Sequence, residues 1–255
     1  MSESAVLAPG KAIWADLAAA DIEKSKDFYS NLLGWQPTDL GPDAGGYVMF
    51  RIGEKDVTAV APTQEGQFPA WSVYFGTNDA DATAKAVEEA GGKVIAPPFD
   101  VLDSGRMAVF QDPVGAFFSV WQPNTMKGFG AINEPNTFSW AELNTKETAA
   151  AEEFYPKVFG WGVKKTPGGE GVPGYTEWQV DGQSIAGEMD TSGFGMDVPP
   201  FWLVYFSVAD VDATAGKVSE LGGQVMTGPS DYPGGRFVVA TDPNGTVFGL
   251  LQGAE

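Results

Sequence analysis

The sequence predicts an α+β fold of two tandem modules, each a pair of βαβββ units, and three observations support this prediction. Residues 13–35, IWADLAAADIEKSKDFYSNLLGW, return as residues 139–161, SWAELNTKETAAAEEFYPKVFGW. Each copy opens with the alternation of a half-buried strand and continues with helical spacing. A second strand-and-helix block, WSVYFGTNDADATAKAVEEAGGKV at 71–94, returns at 202–225. One unit is therefore used twice along the chain, and each copy holds two βαβββ parts.

The first helix is predicted to begin after Asp21 and to end at Gly34. Phe28, Tyr29 and Leu32 recur at helical spacing on one side, and charged residues fill the other side. Asp21 stands at the N-cap position, where a carboxylate accepts hydrogen bonds from the free N–H groups of the first turn. Gly34 stands where the chain leaves the helix through a left-handed residue.

Hairpins are predicted after this helix and at the end of each module. Residues 47–60 read as two strands around a turn, and residues 175–188 repeat the pattern. Residues 105–122 return as 235–252, with the turn sequences Asp-Pro-Val-Gly and Asp-Pro-Asn-Gly between two strands. These hairpins complete the βαβββ pattern of each unit.

The second block predicts a strand, an Asp-capped helix, a Gly-Gly stop and a further strand that begins at Lys93, or at Gln224 in the copy. The offset between the copies changes only in loops, which tolerate insertions. We therefore place the first module at 10–122, a linker at 123–136 and the second module at 137–252.

Composition excludes several kinds of site. The 255 residues include no cysteine and no histidine, so disulfides, thiolate or imidazole metal ligands and serine–histidine triads cannot form within this chain. The net charge of −19 opposes binding to nucleic acid or to anionic membranes. With no secretion signal or membrane-spanning stretch in the sequence, we expect a cytoplasmic protein.

The ordered set of motifs resembles the vicinal oxygen chelate superfamily, which includes glyoxalase I, extradiol dioxygenases and bleomycin-binding proteins. The motifs are a strand, a helix with Phe-Tyr followed by Gly-Trp, a hairpin, an Asp-x-Asp-Ala helix, Gly-Gly and an Asp-Pro-x-Gly hairpin. Within that superfamily the chain looks like the two-module actinobacterial antigen/hydroxylase-annotated branch. The resemblance implies glyoxalase-like modules whose curved mixed sheets enclose a ligand cavity.

The resemblance also implies set positions for metal ligands on the concave face of each sheet. These positions hold Trp14, Ser72 and Ser119 in the first module, where metal-using relatives carry histidine or glutamate. The second module holds Trp140, Leu203 and Gly249 there. We therefore expect no metal and no other cofactor. The alternative is an oxygen-ligated metal on Asp16 with Glu177 or Glu188, although the sequence shows no cluster of three acids.

Strand alternation predicts which side chains point into the two cavities. The candidate ligand-binding residues are aromatic, hydroxyl-bearing or cationic: Trp14, Tyr74, Arg106, Phe117, Ser119, Trp121, Trp140, Tyr205 and Arg236. Ile13, Leu17, Val73, Phe75, Phe118 and Val120 should face the helices instead. Trp14 and Trp140 have an alternative role as core residues.

Asp16 and Glu142 are the candidate catalytic residues. A carboxylate on a buried sheet face is costly unless it is paired, so each one either bonds to Arg106 or Arg236 or is kept for a ligand. In the second case it can act as a general base, with Tyr74 or Tyr205 donating to the developing oxyanion.

Three functions remain open at this stage. The first is a metal-independent protein that binds a small hydrophobic or aromatic molecule. The alternative is a metal-free tailoring or detoxifying enzyme, such as an isomerase, lyase, cyclase or hydroxylase-annotated protein, that uses Asp16 or Glu142. A glyoxalase I-type lyase ranks third, because the metal ligands are missing. We expect a monomer, since two modules in one chain can pair with each other, with a dimer as the alternative.

Overall fold

A computed structural model of the chain describes residues 9–41, 44–168, 174–194 and 198–254. The first module has eight strands: β1 Ala12–Ala19, β2 Gln36–Asp39, β3 Val48–Ile52, β4 Lys55–Pro62, β5 Ala70–Gly76, β6 Lys93–Val101, β7 Gly105–Gln111 and β8 Phe117–Pro123. The second module has eight more: β9 Phe138–Thr145, β10 Gly162–Thr166, β11 Tyr175–Val180, β12 Gln183–Asp190, β13 Phe201–Ser207, β14 Gln224–Tyr232, β15 Gly235–Thr241 and β16 Val247–Gly253. The helices are α1 Ile22–Leu33, α2 Ala80–Glu89, α3 Thr148–Phe159 and α4 Val211–Glu220.

Each module forms one eight-stranded mixed sheet. The strand order is β2-β3-β4-β1-β5-β8-β7-β6 in the first sheet and β10-β11-β12-β9-β13-β16-β15-β14 in the second. The opening strand of the module is central, pairing in parallel with β4 and antiparallel with β5 in the first sheet. The predicted α+β fold of paired βαβββ units is confirmed. In the described residues no helix has the length and apolar character needed to cross a membrane.

The predicted helix caps are mostly confirmed. Asp21 accepts from the backbone N–H of Lys24, and Gly34 has φ 73° in the left-handed region. Asp79 and Asp210 cap α2 and α4 in the same way. The sequence did not indicate β2 or its copy β10, because both are short, polar and exposed edge strands without apolar alternation.

The helix-facing side of each sheet forms the core. The six residues predicted to face the helices are all 0–4% exposed: Ile13, Leu17, Val73, Phe75, Phe118 and Val120. Because successive side chains of a strand point to opposite faces, the alternation of these residues with their neighbours places them together on the face that packs against the helices. The opposite, concave face is consequently left to the polar and aromatic side chains.

Aromatic side chains also join the two modules through their helices. Tyr155 on α3 donates a 2.7 Å hydrogen bond to Asp112 in the Asp-Pro-Val-Gly turn of the first module. In the reciprocal contact Tyr29 on α1 lies 3.4 Å from Asp242 of the second module. The ring of Phe28 packs edge-on against Phe248. These contacts cross from each helix to the other module, so the helix faces of both sheets are covered within one chain.

Gly216 offers a direct test of helix propensity. It lies in the middle of α4, is exposed, and has open space where a Cβ would be added. Gly216→Ala is therefore expected to stabilise the protein by about 1 kcal/mol, because alanine loses less backbone entropy in a helix. Thermal unfolding measures this as a raised midpoint. Gly222→Ala is the matched control and should destabilise, because Gly222 has φ 85°; a lowered midpoint for Gly216→Ala would contradict the prediction.

Candidate functional site

The first candidate site lies on the concave face of the first sheet, where three central strands run side by side. Tyr74 on β5 pairs in register with Trp14 on β1 and with Ser119 on β8. Asp16 lies two residues along β1 from Trp14 and therefore on the same face, opposite Ser72. We call this surface around Asp16 the first cup.

A chain of hydrogen bonds ends on the Asp16 carboxylate. The indole Nε1 of Trp14 donates to the Tyr47 hydroxyl at 3.0 Å, and Tyr47 in turn donates to Asp16 Oδ2 at 2.9 Å. The Tyr74 hydroxyl donates to the same oxygen at 3.0 Å. Within the described part of the chain, both donors use Oδ2, which leaves Oδ1 open to another partner.

The environment of Asp16 changes its proton affinity. Burial raises the pKa of Asp16 to about 6, against the lowering effect of the Tyr47 and Tyr74 hydrogen bonds. The residue as a whole is nevertheless only half-buried. Burial raises the pKa of Tyr47 and of Tyr74 well above the usual range for tyrosine, and the negative charge of Asp16 raises both further. Both phenols therefore remain hydrogen-bond donors at neutral pH.

The second module repeats this network on its own concave face, which we call the second cup. Trp140 Nε1 donates to the Tyr175 hydroxyl at 2.9 Å, and the Tyr205 hydroxyl donates to Glu142 Oε1 at 3.1 Å. Asn144 Nδ2 lies 3.3 Å from the same carboxylate oxygen. Burial raises the pKa of Glu142, against the lowering effects of Tyr175, Tyr205 and Asn144.

The predicted pairing of the carboxylates with arginines is wrong. Arg106 binds Asp81 and Asp100, each at 3.0 Å, and Arg236 likewise binds Asp212 and Asp231. The reason is strand phase. Arg106 pairs in register with Gln122 and therefore lies on the same face of the sheet. Gln122 follows Trp121 on β8, so the two point to opposite faces, and Gln122 faces the helices. On that side Asp81, in the first turn of α2, is within reach of Arg106. Arg236 takes the same position beside Gln252 and α4.

Two further residues of the cups, Tyr47 and Tyr175, were not predicted from the sequence. Tyr47 directly precedes β3, and Tyr175 is the first residue of β11. Each accepts a hydrogen bond from the indole of the tryptophan that lies two residues before the carboxylate. Their identity at equivalent positions of the two copies was a usable signal. It carried no weight by itself, since a tyrosine at a strand start is also a common core residue.

The remaining predicted residues extend the first cup away from Asp16. Trp121 is 7% exposed and donates through Nε1 to the Met126 carbonyl in the linker. Phe117 is 55% exposed at the start of β8, on the face that Ser119 defines. Phe129 of the linker packs against Trp14 with ring centroids 5.3 Å apart. The first cup thus joins one carboxylate to aromatic walls.

The residues at the ligand positions expected for this fold do not suit a metal. Indole, serine and leucine side chains and a glycine stand there, and none of them supplies a strong anionic or imidazole donor. Among the described residues, no group of three or more acidic side chains comes close enough together to hold an ion. This donor set does not fit the metal centres of related folds.

Comparisons with known proteins agree with this fold. The family model for the glyoxalase/bleomycin resistance protein/dioxygenase superfamily matches residues 11–120 and 137–250. The chain is 41% identical to the anthracycline biosynthesis protein DnrV of Streptomyces peucetius, covering 96% of this chain and 94% of that protein. It is 38% identical to the putative glyoxylase CFP32 of Mycobacterium bovis, covering 94% of each.

Solved structures show the same architecture at low identity. The Mn(II)-bound glyoxalase of Novosphingobium aromaticivorans superposes with a TM-score of 0.68 at 19% identity, covering 97% of this chain and 83% of that one. A trihydroxybiphenyl dioxygenase of Sphingomonas wittichii gives 0.69 at 14% identity, covering 96% and 91%. With family matches over both modules and long relatives near 40% identity, this chain belongs to the glyoxalase/bleomycin resistance protein/dioxygenase superfamily.

Proposed function

We propose that the protein binds a small, planar aromatic molecule in the first cup without a transition metal. The observation that carries this proposal is the half-open Asp16 carboxylate, whose Oδ1 is free of the described donors while Tyr47 and Tyr74 fix Oδ2. A ligand hydroxyl or N–H group can donate to Oδ1 without displacing either tyrosine. This is the kind of fixed polar anchor that orients a ligand in an otherwise apolar pocket.

The surroundings of Asp16 favour an aromatic ligand. Tyr74 and Trp121 lie on the same face, 8% and 7% exposed, and Phe117 leaves more than half of its surface accessible at the rim. Aromatic side chains supply a large apolar contact area and stack with planar molecules. The net charge of −19 disfavours an anionic ligand, so we propose a neutral or cationic one.

The names of the relatives support a polycyclic aromatic natural product as the ligand class. Two of them, from Streptomyces peucetius and Streptomyces strain C5, are anthracycline biosynthesis proteins, each 41% identical to this chain over nearly its whole length. A flat polyketide-like ligand with phenolic hydroxyls matches both parts of the first cup. Its rings would contact the aromatic wall, and a phenol would donate to Asp16.

A second candidate function is a metal-free tailoring enzyme, and the raised pKa of Asp16, about 6, favours it. A general base works best when its pKa lies near the working pH. Asp16 Oδ1 would take a proton from a carbon next to a ligand carbonyl. As Asp16 becomes neutral it holds the tyrosines less strongly, so a Tyr74 or Tyr47 hydroxyl can then donate to the enolate oxygen.

Glu142 would play the same part if the second cup reacts. The glyoxalase I-type alternative has only the name of the mycobacterial relative in its favour, and its metal ligands do not fit the residues present.

Asp16→Asn separates the binder from the enzyme. Asparagine keeps the size of the side chain and an acceptor oxygen but cannot take a proton. For a binder, we expect the Kd of a hydroxyanthraquinone probe such as alizarin to change less than about tenfold, because one hydrogen bond contributes about 1 kcal/mol. For an enzyme, turnover should fall by about 100-fold or more.

The measurement is tryptophan fluorescence quenching by alizarin, with and without added divalent metal, together with product analysis by mass spectrometry. Asp27→Asn on the exposed side of α1 is the matched control for the charge change and should behave as wild type. Saturable quenching that requires added metal would overturn the metal-free proposal. An Asp16→Asn variant with undiminished turnover would overturn the general-base role.

A further inference from the structure

We infer that the two cups have diverged, so that only the first cup is a working ligand site and the second is sealed by its own side chains. This inference rests on the proposed function and adds the number and place of the sites. It is carried by four positions at which the modules differ around an otherwise repeated network of tryptophan, two tyrosines and a carboxylate.

The first difference lies beneath the bridging tyrosine. Asp16 pairs in register with Ala59, and Glu142 pairs with Gly187 at the equivalent position. The Tyr175 hydroxyl lies so close above Gly187 that an added Cβ would be 1.8 Å from its oxygen. Ala59 carries such a Cβ, so the Tyr47 hydroxyl cannot lie equally close to the backbone of the first sheet.

The second difference lies beneath the other tyrosine. Tyr74 pairs with Ser119 across β5 and β8, and Tyr205 pairs with Gly249. The ring of Tyr205 rests directly on Gly249, where an added Cβ would be 2.0 Å from a ring carbon. The side chain of Ser119 fills this space in the first cup. Two glycines therefore let both tyrosines of the second cup lie flat against its sheet.

The third and fourth differences concern the carboxylate itself. Asn144 donates toward Glu142, whereas the equivalent residue of the first module, Ala18, has no donor to offer. Leu203 takes the place of Ser72 beside the carboxylate, in register with Glu142. As a result, Glu142 is 6% exposed and surrounded by its own donors and an apolar side chain.

These differences assign different roles to the two acids. Asp16 remains accessible and has a free oxygen, so it can meet a ligand. Glu142 is a buried carboxylate, 6% exposed, whose Oε1 accepts from Tyr205 and lies 3.3 Å from Asn144 Nδ2, so its removal should affect folding more than binding.

Carbodiimide labelling tests the divergence without a ligand. A water-soluble carbodiimide with glycine ethyl ester modifies accessible carboxylates, and peptide mass spectrometry locates the products. Brief treatment of the native protein should label Asp16 at least tenfold more than Glu142, and treatment in urea should label both equally. Equal labelling of the two residues in the native protein, or none at Asp16, would overturn the inference.

Calorimetric titration with alizarin tests the same inference through binding. We expect one molecule bound per chain, lost in Ser119→Trp, which fills the first cup, and retained in Glu142→Gln, whose thermal midpoint should fall. Two molecules per chain, or binding abolished by Glu142→Gln in a protein that circular dichroism shows to be folded, would overturn the inference. A failure of alizarin to bind together with asymmetric labelling would overturn the ligand class in the proposed function and leave the divergence supported.

Discussion

Replacing Glu188 with valine is expected to stabilise the protein by about 3 kcal/mol at pH 7. Glu188 on β12 is 1% exposed, and among the described residues neither of its carboxylate oxygens has a hydrogen-bond partner. Trp178 beside it is also buried with an unpartnered Nε1. The equivalent residues of the first module are Val60 and Phe50, both buried and apolar. The fold therefore does not require polar groups at these two positions.

The size and sign of this effect follow from proton linkage. Burial, and then the nearby charge of Glu152, raises the pKa of Glu188 from 4.5 to about 8, while Lys165 opposes the shift. The unfolded chain releases this proton near pH 4.5, so wild-type stability falls as pH rises from about 4.5 to about 8 and then levels off. Each pH unit in that window changes the free energy of unfolding by about 1.4 kcal/mol.

The charged groups that face Glu188 come from several parts of the fold. Asp112 belongs to the first module, Asp190 to β12, and Glu152 to α3, where it binds Lys165 and accepts from Thr176. The negative charge of Glu188 also contributes to the raised pKa of Tyr155 on α3. Ionised Glu188 would therefore add negative charge to an interior that already holds the Tyr155–Asp112 contact between modules.

Thermal unfolding of the variants between pH 5 and pH 9 measures the effect. The stability difference between Glu188→Val and wild type should grow up to about pH 8 and then remain constant. Glu188→Gln should remove the part of the pH slope between about pH 6 and pH 8, where Asp16 no longer titrates, but gain less stability, because its buried amide still lacks partners. Glu220→Gln, on the exposed surface of α4, is the matched control. An unchanged slope in Glu188→Gln would contradict the assignment.

Gly187→Ala is expected to destabilise the protein by about 3 kcal/mol. Its added Cβ would meet the Tyr175 hydroxyl at 1.8 Å and Trp140 Nε1 at 2.8 Å, so Tyr175 must move away from both. Overpacking of a filled site costs about 1–3 kcal/mol, and the loss of the partly buried Trp140–Tyr175 hydrogen bond adds about 1 kcal/mol. Gly187 has no positive φ, so the cost comes from crowding and not from backbone strain.

Chemical unfolding of Gly187→Ala measures the loss. The matched control is Ala59→Gly at the equivalent position of the first sheet, which removes a Cβ and should cost about 1 kcal/mol through backbone entropy. The double variant Gly187→Ala/Tyr175→Phe removes the clashing hydroxyl oxygen and should recover part of the loss. If Gly187→Ala is as stable as wild type, Tyr175 does not lie against the sheet, and the sealing of the second cup is wrong.

Much of the fold could be predicted because its signals are local. Asp21 and Gly34 mark the ends of α1 within a few residues of the helix, and the alternation in β1 sorts Ile13 to the helix side. The repeat then transfers each assignment to a second copy. The edge strand β2 could not be found this way, since its residues are polar and paired with β3 alone.

The sequence by itself determined the superfamily, the paired βαβββ units, the faces of the central strands and the absence of histidine and cysteine ligands. Tertiary structure alone decided what binds Asp16. Its partners Tyr47 and Tyr74 are 31 and 58 residues away along the chain, and strand register brings them together. The same register turns Arg106 away, because an arginine one residue out of phase points to the other face of a sheet. A buried carboxylate needs some donor, but only the assembled sheet determines which one reaches it.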